Sequence, residues 1–152
     1  MEQIQRAMNA FWDLLEDVPG LQAHRPSVES GSTMGGWYAP RGIYKADELG
    51  GVPLARFAEA VRAEGGVCSP RNRPGLHEHP LFNDADIYGH GRPTRIANSD
   101  RDVRQPRGSL PVTETDVERV YSIPWFKHYR AELIAQHVAA YRKVAENAQE
   151  LL

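Results

Sequence analysis

The sequence has a single cysteine, Cys68, and only three lysines, Lys45, Lys127 and Lys143, against fifteen arginines. One thiol closes no internal disulfide, so nothing here requires an oxidising compartment. The shortage of lysine restricts Schiff-base chemistry, because lysine forms imines with carbonyl groups whereas arginine pairs as a planar fork with carboxylates and phosphates. Long apolar runs are missing too. No stretch approaches the roughly 20 residues that a membrane helix needs, and Met1 to Arg6 lack the basic and apolar regions of a signal peptide. The expected location is the cytoplasm, with no membrane partner. A strong excess of either charge is also absent. A net charge of -2 argues against a nucleic-acid partner. What remains, 152 residues with 41% hydrophobic and 25% charged, is the composition of one ordinary globular domain.

Apolar periodicity then divides the chain. Ile4, Met8, Phe11, Trp12 and Leu15 share one helical face over residues 3–17, and Pro19-Gly20 stops that helix. Residues 24–36 are rich in Ser, Gly and Thr and read as loop. Residues 36–44 read as extended, with Pro40-Arg41-Gly42 limiting them to an edge or bulged strand. Leu54, Phe57, Ala58 and Val61 predict a second helix behind Pro53, ended by Gly65-Gly66, and Val67 to Ser69 predict a short strand. From about 70 to 111 periodicity disappears. Thr113 with Asp116 predicts a capped short helix over 114–119, Val120 to Ile123 a buried strand, and Leu133 to Ala148 a long closing helix. The expectation is a single α+β domain over 1–152, with helices packed on a small, mainly antiparallel sheet and a long irregular loop at about 70–111.

That loop holds most of the candidate chemistry. His77, His79 and His90, with Asp84 and Asp86 nearby, are ligand types that suit zinc, but their spacing matches no strong metal signature, and no metal is expected. Arg92, Arg95, Arg101, Arg104 and Arg107 form a cationic ribbon suited to a phosphate or carboxylate, against which stands internal pairing with Asp100 and Asp102. Cys68 reads as a small buried hydrophobe, and Trp37, Trp125 and Phe126 as core or as a stacking surface for a planar ligand. No phosphate loop is spelled by Gly31, Gly35 and Gly36.

Several motifs in order carry a resemblance. Glu-Gly-Gly-Val at 64–67, Leu-His-Glu-His-Pro-Leu-Phe at 76–82, Ser-Leu-Pro-Val-Thr-Glu at 109–114 and Val-Tyr-Ser-Ile-Pro at 120–124, followed by a closing helix, resemble the C-terminal small domain of the DegT/DnrJ/StrS sugar aminotransferases. These are fold-type-I, pyridoxal-phosphate-dependent enzymes related to aspartate aminotransferase. The resemblance implies a domain that closes the substrate side of a cofactor cleft, while a larger domain supplies the Schiff-base lysine and the phosphate and pyridinium partners. His77 matches the family's Pro-Leu-His position, although Gly75 stands where the family has proline, and His79 falls where the family often has glutamine.

The expected function is therefore that of a sugar aminotransferase C-terminal domain with substrate-binding residues His77, His79, Arg101 and Arg104 and no catalytic residue of its own. Pyridoxal phosphate is the cofactor of the complete enzyme, and none is expected on this chain alone. The implied partners are a pyridoxal-phosphate-binding large domain or subunit, a second copy in a homodimer, and a nucleotide-linked keto sugar. The alternative is a non-catalytic module that binds an anionic ligand or a partner protein through residues 77–107.

Overall fold

The spacing of apolar side chains is realised in three helices. In the computed structural model, which describes residues 1–71, 73–86, 89 and 104–152, α1 (Glu2–Asp13) buries Ala7, Met8, Phe11 and Trp12. The helix stops sooner than its pattern predicts. Leu15 remains in the core through a following turn, where the Leu15 and Val18 amides bond back three residues. Strand β1 (Leu21–Ala23) comes next, then β2 (Arg41–Tyr44). Helix α2 (Leu54–Ala63) buries Leu54, Phe57, Ala58 and Val61, and β3 (Ser69–Pro70) follows it. Further along are α3 (Pro80–Asn83), α4 (Pro111–Arg119), β4 (Val120–Ser122) and α5 (Ala131–Glu146).

The four strands form one sheet in the order β1-β2-β4-β3, antiparallel throughout, so the fold class is α+β. Leu21 stands opposite Tyr44, and Gly42 opposite Tyr121. Alternation along β2 and β4 sends Gly42, Tyr44 and Tyr121 to the buried face and leaves their neighbours half-exposed, as expected of a sheet covered by helices on one side.

Two strands differ from expectation. β1 is three residues long, too short for an alternating signal, and is recruited by its pairing with β2. Strand β3 begins at Ser69 rather than Val67 because the two preceding carbonyls are already used: Val67 O accepts from the Tyr141 hydroxyl at 2.7 Å, and Cys68 O accepts from Arg62 Nη1 at 2.7 Å. Cys68 itself is fully buried. Burial pushes its thiol up to about 11, so it packs as a small apolar residue rather than acting as a nucleophile.

The described chain forms two compact units, Met1–Arg71 with Arg119–Leu152, and Asn72–Glu118. The first holds the sheet, α1, α2, α5 and the core. At its centre Phe11 meets the rings of Trp12, Phe126 and Tyr141 at 5.4, 5.7 and 5.5 Å. The second holds α3 and all but the last residue of α4, together with a turn at Leu76–Glu78. Among the described residues no helix is long and apolar enough to cross a membrane.

His137 on α5 gives the core a pH dependence. Its ring lies edge-on to Phe126 at 5.4 Å, its Nδ1 is buried without a partner, and burial lowers its pKa below 6.5. The unfolded chain then binds the proton more readily than the folded one, so this contribution is complete above about pH 6.5 and declines as the pH falls below it. Urea unfolding at pH 7.5 and pH 5.5 should show a loss of stability in acid that is smaller in His137→Leu. An equal loss in both proteins would remove His137 as the cause.

Candidate functional site

The candidate residues 77, 79 and 104 all lie in the second unit, where a carboxylate organises the backbone. Helix α4 starts at Pro111, whose fixed φ suits a first helical position, rather than at the expected Thr113 cap. The acid that folds back is Glu114, not Asp116. Its Oε1 and Oε2 accept from the Gly108 N–H at 2.8 and 2.9 Å, and Oε1 also accepts from the Leu110 N–H at 3.3 Å. These amides lead into the helix, where a negative charge is favoured. The fourth contact is His77, with Nε2 3.1 Å from Glu114 Oε1. Burial would raise the Glu114 pKa, but hydrogen bonds from Gly108, His77 and Leu110 outweigh it and hold the carboxyl below its usual range.

An ionised carboxylate can only accept, so His77 Nε2 carries the hydrogen of this bond. The imidazole is nearly buried, its side chain 7% exposed. It can lie where it does because residue 75 has no side chain. A Cβ at Gly75 would come 2.5 Å from His77 Cε1 and 2.6 Å from Nδ1. Gly75 is therefore the counterpart of the His77–Glu114 pair. The Gly75 N–H also donates to Glu78 Oε2 at 3.2 Å, which closes the short turn that carries His77.

His79 has a different task. Its Nδ1 accepts from the Leu81 N–H at 3.1 Å and caps α3. Asn83 ties both histidines into the same turn, donating through Nδ2 to the carbonyls of His77 at 2.7 Å and His79 at 3.1 Å. Arg104 reaches the Asn83 carbonyl at 3.4 Å. Arg107, 82% exposed, stands 3.7 Å from Glu78. Arg92, Arg95, Arg101, Asp100, Asp102 and His90 lie outside the described residues. Among the described residues, no three His, Cys, Asp or Glu side chains gather as a metal site. Sequence reasoning passed over Glu114 and gave Gly75 no packing role. An acid in the first turn behind a proline was the available signal for Glu114. Replacing it, as Glu114→Gln, should speed amide exchange at Gly108 and Leu110 several-fold while core amides of α5 keep their protection; unchanged exchange at both would show that the carboxylate does not hold this loop.

The lysines bear on any imine chemistry. Lys45 pairs with Glu48 at 2.8 Å and Lys143 with Glu64 at 2.7 Å, all four side chains well exposed. Lys127 is exposed, its ammonium 4.9 Å from the Trp125 ring. An imine-forming amine must shed its proton, which a desolvated pocket promotes and a carboxylate partner opposes. None of the three fits a pyridoxal-phosphate anchor.

The architecture is thus that of an α+β domain whose candidate site is a histidine oriented by a glutamate. No family model matches the sequence, and no curated protein matches it. Among solved structures the chain is similar to DesI, whose crystal structure was analysed in the presence of its TDP-sugar product, with a TM-score of 0.66 and 21% identity. The match covers 99% of this chain and 32% of DesI, so the chain spans about a third of that protein's length. At this identity the likeness is one of fold.

Proposed function

We propose that this chain is the C-terminal small domain of a pyridoxal-phosphate-dependent sugar aminotransferase of the DegT/DnrJ/StrS type, working with a larger cofactor-binding domain or subunit. The observation that carries this reading is the fold shared with part of DesI over 99% of the chain. The order of the sequence motifs adds to it. DesI has a TDP-sugar product, and a nucleotide-linked keto sugar is the substrate class proposed here. Pyridoxal phosphate would supply the electron sink for amino transfer, and the residues of this chain do not fit it by themselves, because each lysine is exposed or ion-paired. The chain's own contribution is recognition. His77, oriented by Glu114, is the proposed substrate-side residue, with His79, Arg104 and Arg101 as the further substrate-binding residues.

The test is reconstitution. The purified chain with pyridoxal phosphate, glutamate and a nucleotide-linked keto sugar should show no turnover and no borohydride-stable adduct. Mixed with a family large domain prepared without its own small domain, it should restore amino transfer, and His77→Ala should reduce the restored rate. Turnover by the chain alone, or no gain on mixing, would defeat the proposal.

A second reading, an anion-binding module, is favoured by Arg107, whose guanidinium is 82% exposed and, among the described residues, stands in a long ion pair with Glu78. It predicts thermal stabilisation by phosphate that is weakened in Arg107→Ala as well as in Arg104→Ala or Arg101→Ala.

A further inference from the structure

The two edges of the sheet, β1 and β3, are not alike. Backbone bonding alternates along an antiparallel strand, so every second residue turns its N–H and C=O away from the neighbouring strand. At β3, Ser69 and the following Arg71, whose N–H donates to Val120 O at 3.0 Å, face β4, and Pro70 between them turns outward. Proline has no N–H to offer, so this edge is blunted. At the other edge the Lys45 N–H donates to Gly20 O at 3.0 Å, which puts the next bonded pair at Gln22 and Ile43. Leu21 and Ala23 therefore turn their N–H and C=O groups outward, and among the described residues nothing bonds to them. Leu21 is only 7% exposed, so its unpaired groups lie in a sheltered place, where backbone groups are nearly always paired.

A trough of about 700 Å³ runs along this open edge. All three residues of β1 line it and none of their β2 partners does, which places it on the outer side of the strand. Leu15 and Val18 give it an apolar wall, and the chain beyond β1 supplies another, on which Val28 is 95% exposed. Its lining leaves charge of one sign uncompensated. Arg25 pairs with Asp13 at 2.7 Å, Lys45 with Glu48 at 2.8 Å, and Asp17 with Arg142. Glu16 and Glu29 are exposed and, among the described residues, have no ion pair. Every residue named here belongs to the first unit.

We propose that β1 accepts an extended segment of another polypeptide as a fifth strand of the sheet. Its backbone bonds to Leu21 and Ala23, its alternate apolar side chains pack on Leu15 and Val18, and its basic side chains answer Glu16 and Glu29. A separate basic segment fits better than a second copy of this chain. Pairing β1 with its own like about a two-fold axis would gather Glu16 and Glu29 of both copies at one contact. The binding calls on neither a cofactor nor a large domain, so its test is separate from that of the aminotransferase reading.

The probe is a capped Lys-Val-Lys-Val-Lys-Val peptide added to the intact chain. Amide exchange followed by NMR should slow several-fold at Leu21 and Ala23. The same peptide N-methylated at its valines, which removes the hydrogens that would meet β1, should bind about tenfold more weakly or worse. Glu16→Lys combined with Glu29→Lys alters exposed side chains, so the melting temperature should hold while affinity for the basic peptide falls about tenfold. That double variant should instead favour a Glu-Val-Glu-Val-Glu-Val peptide. Unaltered exchange at Leu21 and Ala23 with millimolar peptide, equal binding after N-methylation, or no preference between basic and acidic peptides would overturn the proposal. Protection of the same two amides that rises with protein concentration in the absence of peptide would overturn it in favour of pairing between two copies.

Discussion

Gly42→Ala should lower the melting temperature by about 6–12 °C, the equivalent of roughly 3 kcal/mol at 2–4 °C per kcal/mol in a domain of this size. The backbone at this position does not demand glycine. Space does: a Cβ on residue 42 would lie 2.5 Å from Tyr121 Cζ, 2.6 Å from its hydroxyl oxygen and 2.7 Å from Trp12 Cη2. Both rings belong to fully packed side chains, and Tyr121 stands directly opposite Gly42 in the β2–β4 ladder. Neither can yield without disturbing the layer between sheet and α1. Alanine in an open strand would normally be preferred to glycine by roughly 0.5–1 kcal/mol, so the sign of the change identifies its cause. Part of the loss should return in Gly42→Ala with Tyr121→Leu, measured as a double-mutant cycle. A single variant as stable as the parent would mean that the aromatic layer does not press on this strand.

Phe11→Ala should cost about 3–5 kcal/mol, a large part of the roughly 5–15 kcal/mol that holds a domain folded. Phe11 is completely buried, and three of its neighbours are rings in edge or tilted contact at 5.4 to 5.7 Å. Those neighbours come from α1, from the segment after β4 and from α5, so the cavity left behind is walled by elements that cannot collapse together independently. Urea unfolding should show a lower midpoint with little change in slope, and near-ultraviolet circular dichroism should lose aromatic intensity. A loss no greater than that of an exposed substitution such as Leu133→Ala would show that the ring cluster is not the centre of the core.

The helices were legible because burial repeats every three or four residues and each pattern is long enough to be read locally. Met8, Phe11 and Trp12, then Leu54, Phe57 and Val61, then Ile134, Val138 and Tyr141 all face the core as their spacing predicts. Strands of two or three residues carry no such pattern. Leu21 to Ala23 became a strand only because Tyr44, Ile43 and Gly42 were available to pair with it. Residues 36 to 44, expected to be extended, pair only from Arg41, since the left-handed residues Trp37 and Ala39 turn the chain beforehand. At the candidate site the residue types were visible, but not their partners. Glu114 meets His77 across 37 residues of sequence, and nothing local to either announces the other.

By itself the sequence determined which residues seek the interior, through their spacing, and how few amines the chain has for imine chemistry. The tertiary structure alone decided that Gly42 leaves room for Tyr121 and Trp12, that Gly75 leaves room for an imidazole held by Glu114, and that the outer edge of β1 stays open. The reason is physical. Periodicity acts between neighbours along one chain segment, whereas steric fit and hydrogen bonding act between groups that become neighbours only after folding.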